Sequence, residues 1–215
     1  MTVPRHAAGR LLPFAVASGV HLAAKLAGTG RLDRASKAVL LPTLGIRLLG
    51  SRSHSRRRVA LLVTEMTLSW IGDLTIDRSF RTGLAAFLAA HLCMIALFWS
   101  GFRTRMSPWS VLLLPWLVVM MVVLRPPRLT ALYPAVVAYA TVLAAMAASA
   151  GRGGRRMGAG GILFVVSDSL LAFRQFTPWF RTRPWGAVVM ASYLAAQLLL
   201  VDGVIGAPAR QEARP

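Results

Sequence analysis

Residues 83–100 read GLAAFLAAHLCMIALFWS, and how this stretch is read decides the fold. It carries no formal charge, His91 being its one titratable side chain outside Cys93. Its apolar positions run on without the polar alternation of a barrel strand, so the run reads as a helix rather than as part of a membrane barrel. Crossing the hydrocarbon layer takes about 20 such residues. Working outward on the same criterion, further spans are expected at 11–27, 38–50, 59–76, 109–124, 130–149, 158–176 and 185–205. The expected fold is therefore all-α, one transmembrane domain over 1–215 with about eight spans. The run at 38–50 is short and carries Pro42 and Arg47, which leaves open seven spans or a re-entrant piece. Arg5 and Arg10 ahead of the apolar run from Leu11 imitate a signal peptide, but apolar spans continue along the whole chain, so that run is read as the first helix.

Composition agrees. Of 215 residues 56% are hydrophobic and 15% charged, with a mean hydropathy of +0.59, more apolar material than a soluble core of this size needs. The 25 Lys+Arg against 7 Asp+Glu give a formal charge of +18, a balance that raises nucleic acid as a partner. The distribution argues against it: Arg56, Arg57 and Arg58, then Arg103 and Arg105, then Arg152, Arg155 and Arg156 sit between apolar runs, with no aromatic-studded basic stripe beside them. Such clusters read as loops facing anionic headgroups. With an even number of spans both termini share the side of these clusters, expected to be cytoplasmic, and the preference for arginine over lysine points to a bacterial cytoplasmic membrane. The opposite loops carry Arg31, Arg34, Arg78, Arg81, Arg125, Arg128, Arg181 and Arg183. Cys93 is the single cysteine, so neither a disulfide framework nor a cysteine metal site is available. Gly158, Gly160 and Gly161 would allow close helix approach.

Two offsets along the chain nearly coincide. Pro42 in LLPTLG precedes Pro134 in LYPAVV by almost the interval that separates Asp73 in SWIGDLTI from Asp168 in VVSDSLLAF, as two four-helix repeats would place them.

Ionisable groups within spans cost about 2.5–3.5 kcal/mol on insertion scales, so those retained face a bundle interior or wet cavity and have a partner. Here they are Lys25, Lys37, Glu65, Asp73, His91 and Asp168, accompanied by Tyr139, Ser167, Tyr193 and Gln197. His21 with Lys25, Glu65 with Ser69 and Asp73, and Tyr193 with Gln197 repeat every four residues, which puts each set on one helix face. Lys25 and Asp73 end outward-running helices, while Lys37, His91, Tyr139 and Tyr193 begin inward-running ones, so a polar cavity is expected in the outward half of the membrane. Glu65 and His21 read as structural, and the lysines are long enough to snorkel. Asp73 and Asp168 cannot do so as easily and carry the strongest functional expectation.

The stretches ALLVTEMTLSWIGDLTI, FRTGLAAFLAAHL, GAGGILFVVSDSLLAF and SYLAAQLLL are similar to the helix motifs of the lysoplasmalogenase (YhhN-like) family, whose pattern reads S..GD, F..G...F...H and G..LF..SD in that order. The resemblance implies an eight-span hydrolase that cleaves the vinyl ether bond of lysoplasmalogens to a fatty aldehyde and a glycerophospho-head group, with Asp73, His91 and Asp168 at the family's polar positions. Two departures are Ala38 after Lys37, where the family often has proline, and Met94, where a tyrosine usually stands.

The residues fit that chemistry on their own. Vinyl ether hydrolysis begins with proton transfer to the β-carbon, giving an oxocarbenium ion that water captures as a hemiacetal, so it needs an acid and an anion together. Two carboxylates in a poorly hydrated site divide these roles, as glycosidases do. His91 can hold or relay a proton, and Lys25, Lys37 or nearby arginines can bind the phosphate of a lysophospholipid. Tyr139, Ser167, Tyr193 and Gln197 are candidate substrate contacts. No cofactor is expected, and one in-span histidine with two aspartates lacks a metal spacing such as H-E-x-x-H. The competing reading is a small proton-coupled transporter using the same carboxylates.

Overall fold

The structure, a computed structural model, describes residues 9–49, 55–102, 105–125 and 131–207. Arg5, Gly50, Arg103, Arg128 and Thr130, which the sequence reading used, lie outside the described residues. Among those described are eight α-helices and no strand: α1 Leu12–Ala27, α2 Gly30–Gly45, α3 Arg56–Thr75, α4 Phe80–Gly101, α5 Leu113–Val123, α6 Tyr133–Ala150, α7 Arg155–Phe176 and α8 Arg183–Gly206. Short 3-10 turns at Ile46–Leu48, Pro108–Leu112 and Gly151–Gly153 adjoin α2, α5 and α6. The chain is an all-α membrane helix bundle. Phe80–Gly101, Tyr133–Gly153, Arg155–Phe176 and Arg183–Gly206 are long and apolar enough to cross a membrane, and Leu12–Ala27 and Pro108–Val123 are shorter apolar helices.

Local chemistry sets the helix starts. Proline occupies the first turn of α1, α6 and α8, where its missing N–H costs nothing. The hydroxyls of Ser55 and Ser79 cap α3 and α4 by accepting from the Arg58 and Thr82 amides. Gly28 ends α1 at φ 73°, a left-handed conformation that suits a residue without Cβ.

The second helix differs from the expected apolar run. It spans Gly30–Gly45 rather than 38–50, so its first half contains Arg31, Asp33, Arg34 and Lys37. Arg31 and Arg34 are exposed, while Asp33 and Lys37 are compensated by neighbours that an apolar-run criterion does not see: Lys25 Nζ reaches Asp33 at 3.1 Å and Lys37 Nζ reaches Asp77 at 3.1 Å, and His21 Nδ1 lies 3.0 Å from the Ser36 hydroxyl between them. Pro42 does not break the helix. Its ring removes the N–H that would bond the Ala38 carbonyl, and Trp70 Nε1 of α3 donates to that carbonyl at 2.7 Å instead.

Packing follows a ring: α1 against α2 and α8, α2 against α3, α3 against α4, α4 against α6, α6 against α7 and α7 against α8. The short α5 leans on α6 and is tied to α7 by Trp116 Nε1 donating to the Ser169 hydroxyl at 3.0 Å. Asp73 and Asp168 thus sit on the third helix of each four-helix half, and each half ends in a closely packed hairpin, α3–α4 and α7–α8. The halves diverge at α5. Lipid tails are as apolar as leucine, so close packing rather than water exclusion holds the ring together. A Cβ on Gly161 would lie 2.9 Å from Ala147 Cα of α6, and one on Gly160 would lie 3.1 Å from the Ala196 carbonyl of α8. The two glycines let α7 approach both neighbours.

At the end of the bundle where α1 and α3 begin, two arginines read as headgroup contacts have internal work. Arg58 is 3% exposed, donates from Nη2 to the Gly101 carbonyl at 3.2 Å and lies over the Phe102 ring. Arg152 Nη2 donates to the Phe102 carbonyl at 2.8 Å. Both neutralise the carbonyl end of α4. Arg47 pairs with Asp202, Nε to Oδ1 at 3.0 Å.

Candidate functional site

At the other end, where odd-numbered helices finish and even-numbered ones begin, the ring encloses a cavity of about 190 Å³. Its polar wall includes Asp73 from α3, Tyr139 from α6, Ser167 and Asp168 from α7, and Tyr193 from α8, with Lys25, Lys37, Asp77 and Arg174 also lining it. The rest is mostly apolar, with Leu84, Trp116, Met120 and Leu143 among the contributors.

The two carboxylates are held alike. Tyr193 donates its hydroxyl to Asp73 Oδ2 at 2.8 Å, and Tyr139 donates to Asp168 Oδ2. Asp73 is almost fully buried, whereas Asp168 is half-buried. The registers explain the convergence: the face of α3 carrying Glu65, Ser69 and Asp73 meets the face of α8 carrying Tyr193 and Gln197. Two polar rungs join them, Tyr193 to Asp73 and, deeper, Gln197 Nε2 to Glu65 Oε1 at 3.0 Å, where Ser69 also donates at 2.9 Å.

His91 stands behind the wall rather than on it. Its Nε2 lies 3.1 Å from the Tyr139 hydroxyl and 3.8 Å from Asp168 Oδ2. Because the tyrosine proton is given to Asp168, the bond between ring and hydroxyl requires Nε2–H to donate to the tyrosine oxygen. Nδ1 has no hydrogen-bond partner among the described residues. The series His91, Tyr139, Asp168 is a directed chain of donors ending on a carboxylate.

Of the candidate residues, Asp73, Asp168, Lys25, Lys37, Tyr139, Ser167 and Tyr193 are brought to one cavity. The Ser167 hydroxyl is committed to the Val189 carbonyl at 3.0 Å, fastening α7 to α8. Gln197, fully buried, serves Glu65 away from the cavity. Three charged groups escaped the sequence reading: Asp33, Asp77 and Arg174. Asp77 continues the spacing of four from Asp73 and was findable by extending that register; Asp33 stands four before Lys37. Arg174 follows Asp168 at the end of an apolar run and carries no signal of its own.

Residues 32–204 match the YhhN family. The chain belongs to the YhhN family. Two relatives carry the same name: lysoplasmalogenase TMEM86B of Sus scrofa, 33% identical over 157 residues, and lysoplasmalogenase TMEM86B of Homo sapiens, 31% identical over 156 residues. Each match covers 69% of this YhhN chain and 65% of the relative's own length. No solved structure matches it. The matched region contains both aspartates, both cavity tyrosines, His91, Lys37 and Arg174; Lys25 precedes it.

Proposed function

We propose that this protein is a membrane-embedded lipid hydrolase that cleaves the vinyl ether bond of a lysoplasmalogen, with Asp73 and Asp168 as its catalytic pair. The observation that carries the reading is that two carboxylates from different helices, each taking a tyrosine hydroxyl, line one cavity with largely apolar walls; the names of the relatives supply the substrate class. One carboxylic acid transfers its proton to the β-carbon of the vinyl ether while the other, ionised, faces the oxocarbenium charge on the adjacent carbon. Water adds to that carbon and loses a proton to a carboxylate, and the hemiacetal collapses to a fatty aldehyde and a glycerophospho-alcohol. Burial between helices strengthens the charge interaction in the transition state relative to bulk water. The apolar wall takes the alkenyl chain, and Lys25 and Lys37 stand on the head-group side. Both termini are assigned to the cytoplasmic side of a bacterial membrane, which directs the cavity outward.

The test is aldehyde release from a vinyl-ether lysolipid by purified protein in uncharged detergent, with no nucleotide or ion gradient. Wild type turns over, and Asp73→Asn and Asp168→Asn each lose at least about a hundredfold in kcat, the lower range for removing a positioned acid or base. Full activity in both folded variants refutes the carboxylate mechanism; inactive but well-folded wild type refutes the substrate.

A further inference from the structure

Three cations line the cavity, and they are not equivalent. Lys25 and Lys37 are each engaged by a carboxylate, Asp33 and Asp77, at 3.1 Å. Arg174 has no carboxylate partner among the described residues: its Nη1 donates to the Phe180 and Thr182 carbonyls, the latter at 2.7 Å. Those bonds pin one corner of the guanidinium to the α7–α8 turn and leave the remaining N–H groups without a protein acceptor among the described residues. The half-buried group packs against Gly186 at the start of α8, where a Cβ would lie 3.3 Å from Arg174 Nη2 and 3.7 Å from Lys25 Cδ. Glycine there leaves room for both cationic side chains at one place on the cavity wall. A planar, oriented guanidinium with open N–H groups, with the Lys25 side chain against the same glycine, is the arrangement that binds a phosphate oxyanion through parallel hydrogen bonds.

We infer that Arg174, assisted by Lys25, is the phosphate anchor of the cavity and selects lysolipids with a phosphodiester head group over neutral monoalkenyl glycerols. The inference rests on the cavity being a lysolipid site and adds the group that recognises the head. Its position suits the task. Arg174 lies six positions beyond Asp168 on α7, a rise of about 9 Å toward the helix end, a span of the same order as an extended glycerol backbone between ether oxygen and phosphate. The anchored phosphate then sits toward the membrane surface while the ether reaches the carboxylates, and binding energy from the head group positions the bond that breaks.

The experiment is direct binding in dodecyl maltoside to three probes: a saturated 1-O-alkyl lysophosphocholine, which cannot undergo vinyl ether hydrolysis, the 1-O-alkyl glycerol of the same chain length, and inorganic phosphate. Wild type binds the lysophosphocholine about ten- to a hundredfold more tightly than the alkyl glycerol. Arg174→Gln brings the first affinity down to the second and leaves the second unchanged, and Arg174→Lys, which keeps charge but not the fork, falls between. Equal weakening of both lipids by Arg174→Gln, or equal affinity for both in wild type, overturns the inference. So does Arg174-dependent binding of inorganic phosphate as tight as that of the lysophosphocholine, which would make free phosphate the ligand. Because binding is read without turnover, the two readings separate: discrimination that depends on Arg174 in a protein releasing no aldehyde sinks only the reaction, and aldehyde release with unchanged discrimination in Arg174→Gln sinks only the anchor.

Discussion

If His91 acts through Tyr139, the effects of removing each must interact in a particular way. Tyr139→Phe deletes the hydroxyl that donates to Asp168; a hydrogen bond to a charged group contributes about 1.5–3 kcal/mol, which at about 1.36 kcal/mol per tenfold is a loss of about 10- to 150-fold in kcat. His91→Phe deletes only the donor to that hydroxyl, 3.1 Å away and one step removed from the carboxylate, for about 0.5–1.5 kcal/mol, or about 2- to 13-fold. The ring is 1% exposed and its Nδ1 has no partner, so phenylalanine abandons no second polar contact. Once Tyr139 is phenylalanine, His91 has lost the hydroxyl it orients and keeps only its 3.8 Å approach to Asp168 Oδ2, so the double variant should be little slower than Tyr139→Phe alone. His91→Gln, whose amide can stand near the Nε2 position, should retain most of the wild-type rate. The assay is kcat for aldehyde release at several pH values, with melting temperatures to confirm folding. Losses that multiply in the double variant would show His91 acting independently of Tyr139 and refute the chain.

Other predictions test the scaffold. Trp70→Phe strands the Ala38 carbonyl and should cost about 1–3 kcal/mol in stability, and Pro42→Ala in the same chain should recover much of it by returning the helical N–H; melting temperatures of the two single variants and the double one check this. Gly161→Ala forces a Cβ to within 2.9 Å of Ala147 Cα and should cost about 1–3 kcal/mol by overpacking, while Gly19→Ala, inside α1 with nothing within 4 Å, should hold or slightly raise the melting temperature. Gln197→Leu removes a donor to buried Glu65 and should lower stability by about 1–3 kcal/mol without changing KM, since neither residue lines the cavity. A KM shift there would mean that the deeper rung reaches the substrate.

Legibility in the sequence follows the range of the interaction. Residues 83–100 identify their own helix because one apolar run long enough for a bilayer is a local property, and the same holds for α6, α7 and α8. The spacing of four in Glu65, Ser69 and Asp73 puts them on one face, also locally. Which face they meet is a long-range fact: Asp73 finds Tyr193 far along the chain only after the ring has closed through α1 and α8. The second helix begins earlier than its apolar run for the same reason. Arg31, Asp33 and Lys37 look like a loop until Lys25 and Asp77 are seen opposite Asp33 and Lys37. Arg58 looks like a headgroup contact until the carbonyl end of α4 is placed beside it.

The same distinction bears on how the aspartates are tolerated. A carboxylate alone at membrane depth would be costly, yet Asp73 and Asp168 each have a tyrosine donor and border a cavity in place of lipid. Their partners come from α8 and α6, so anything that loosens either helix withdraws a donor from a carboxylate and disturbs the fold and the site together. Glu65 offers the contrast on the same helix face: Ser69 and Gln197 supply its donors, its Oε2 has no partner among the described residues, and it does not line the cavity that Asp73 borders. Two acidic residues two turns apart on α3 thus share a register and a partner helix, and only the one that opens on space has room to meet a substrate.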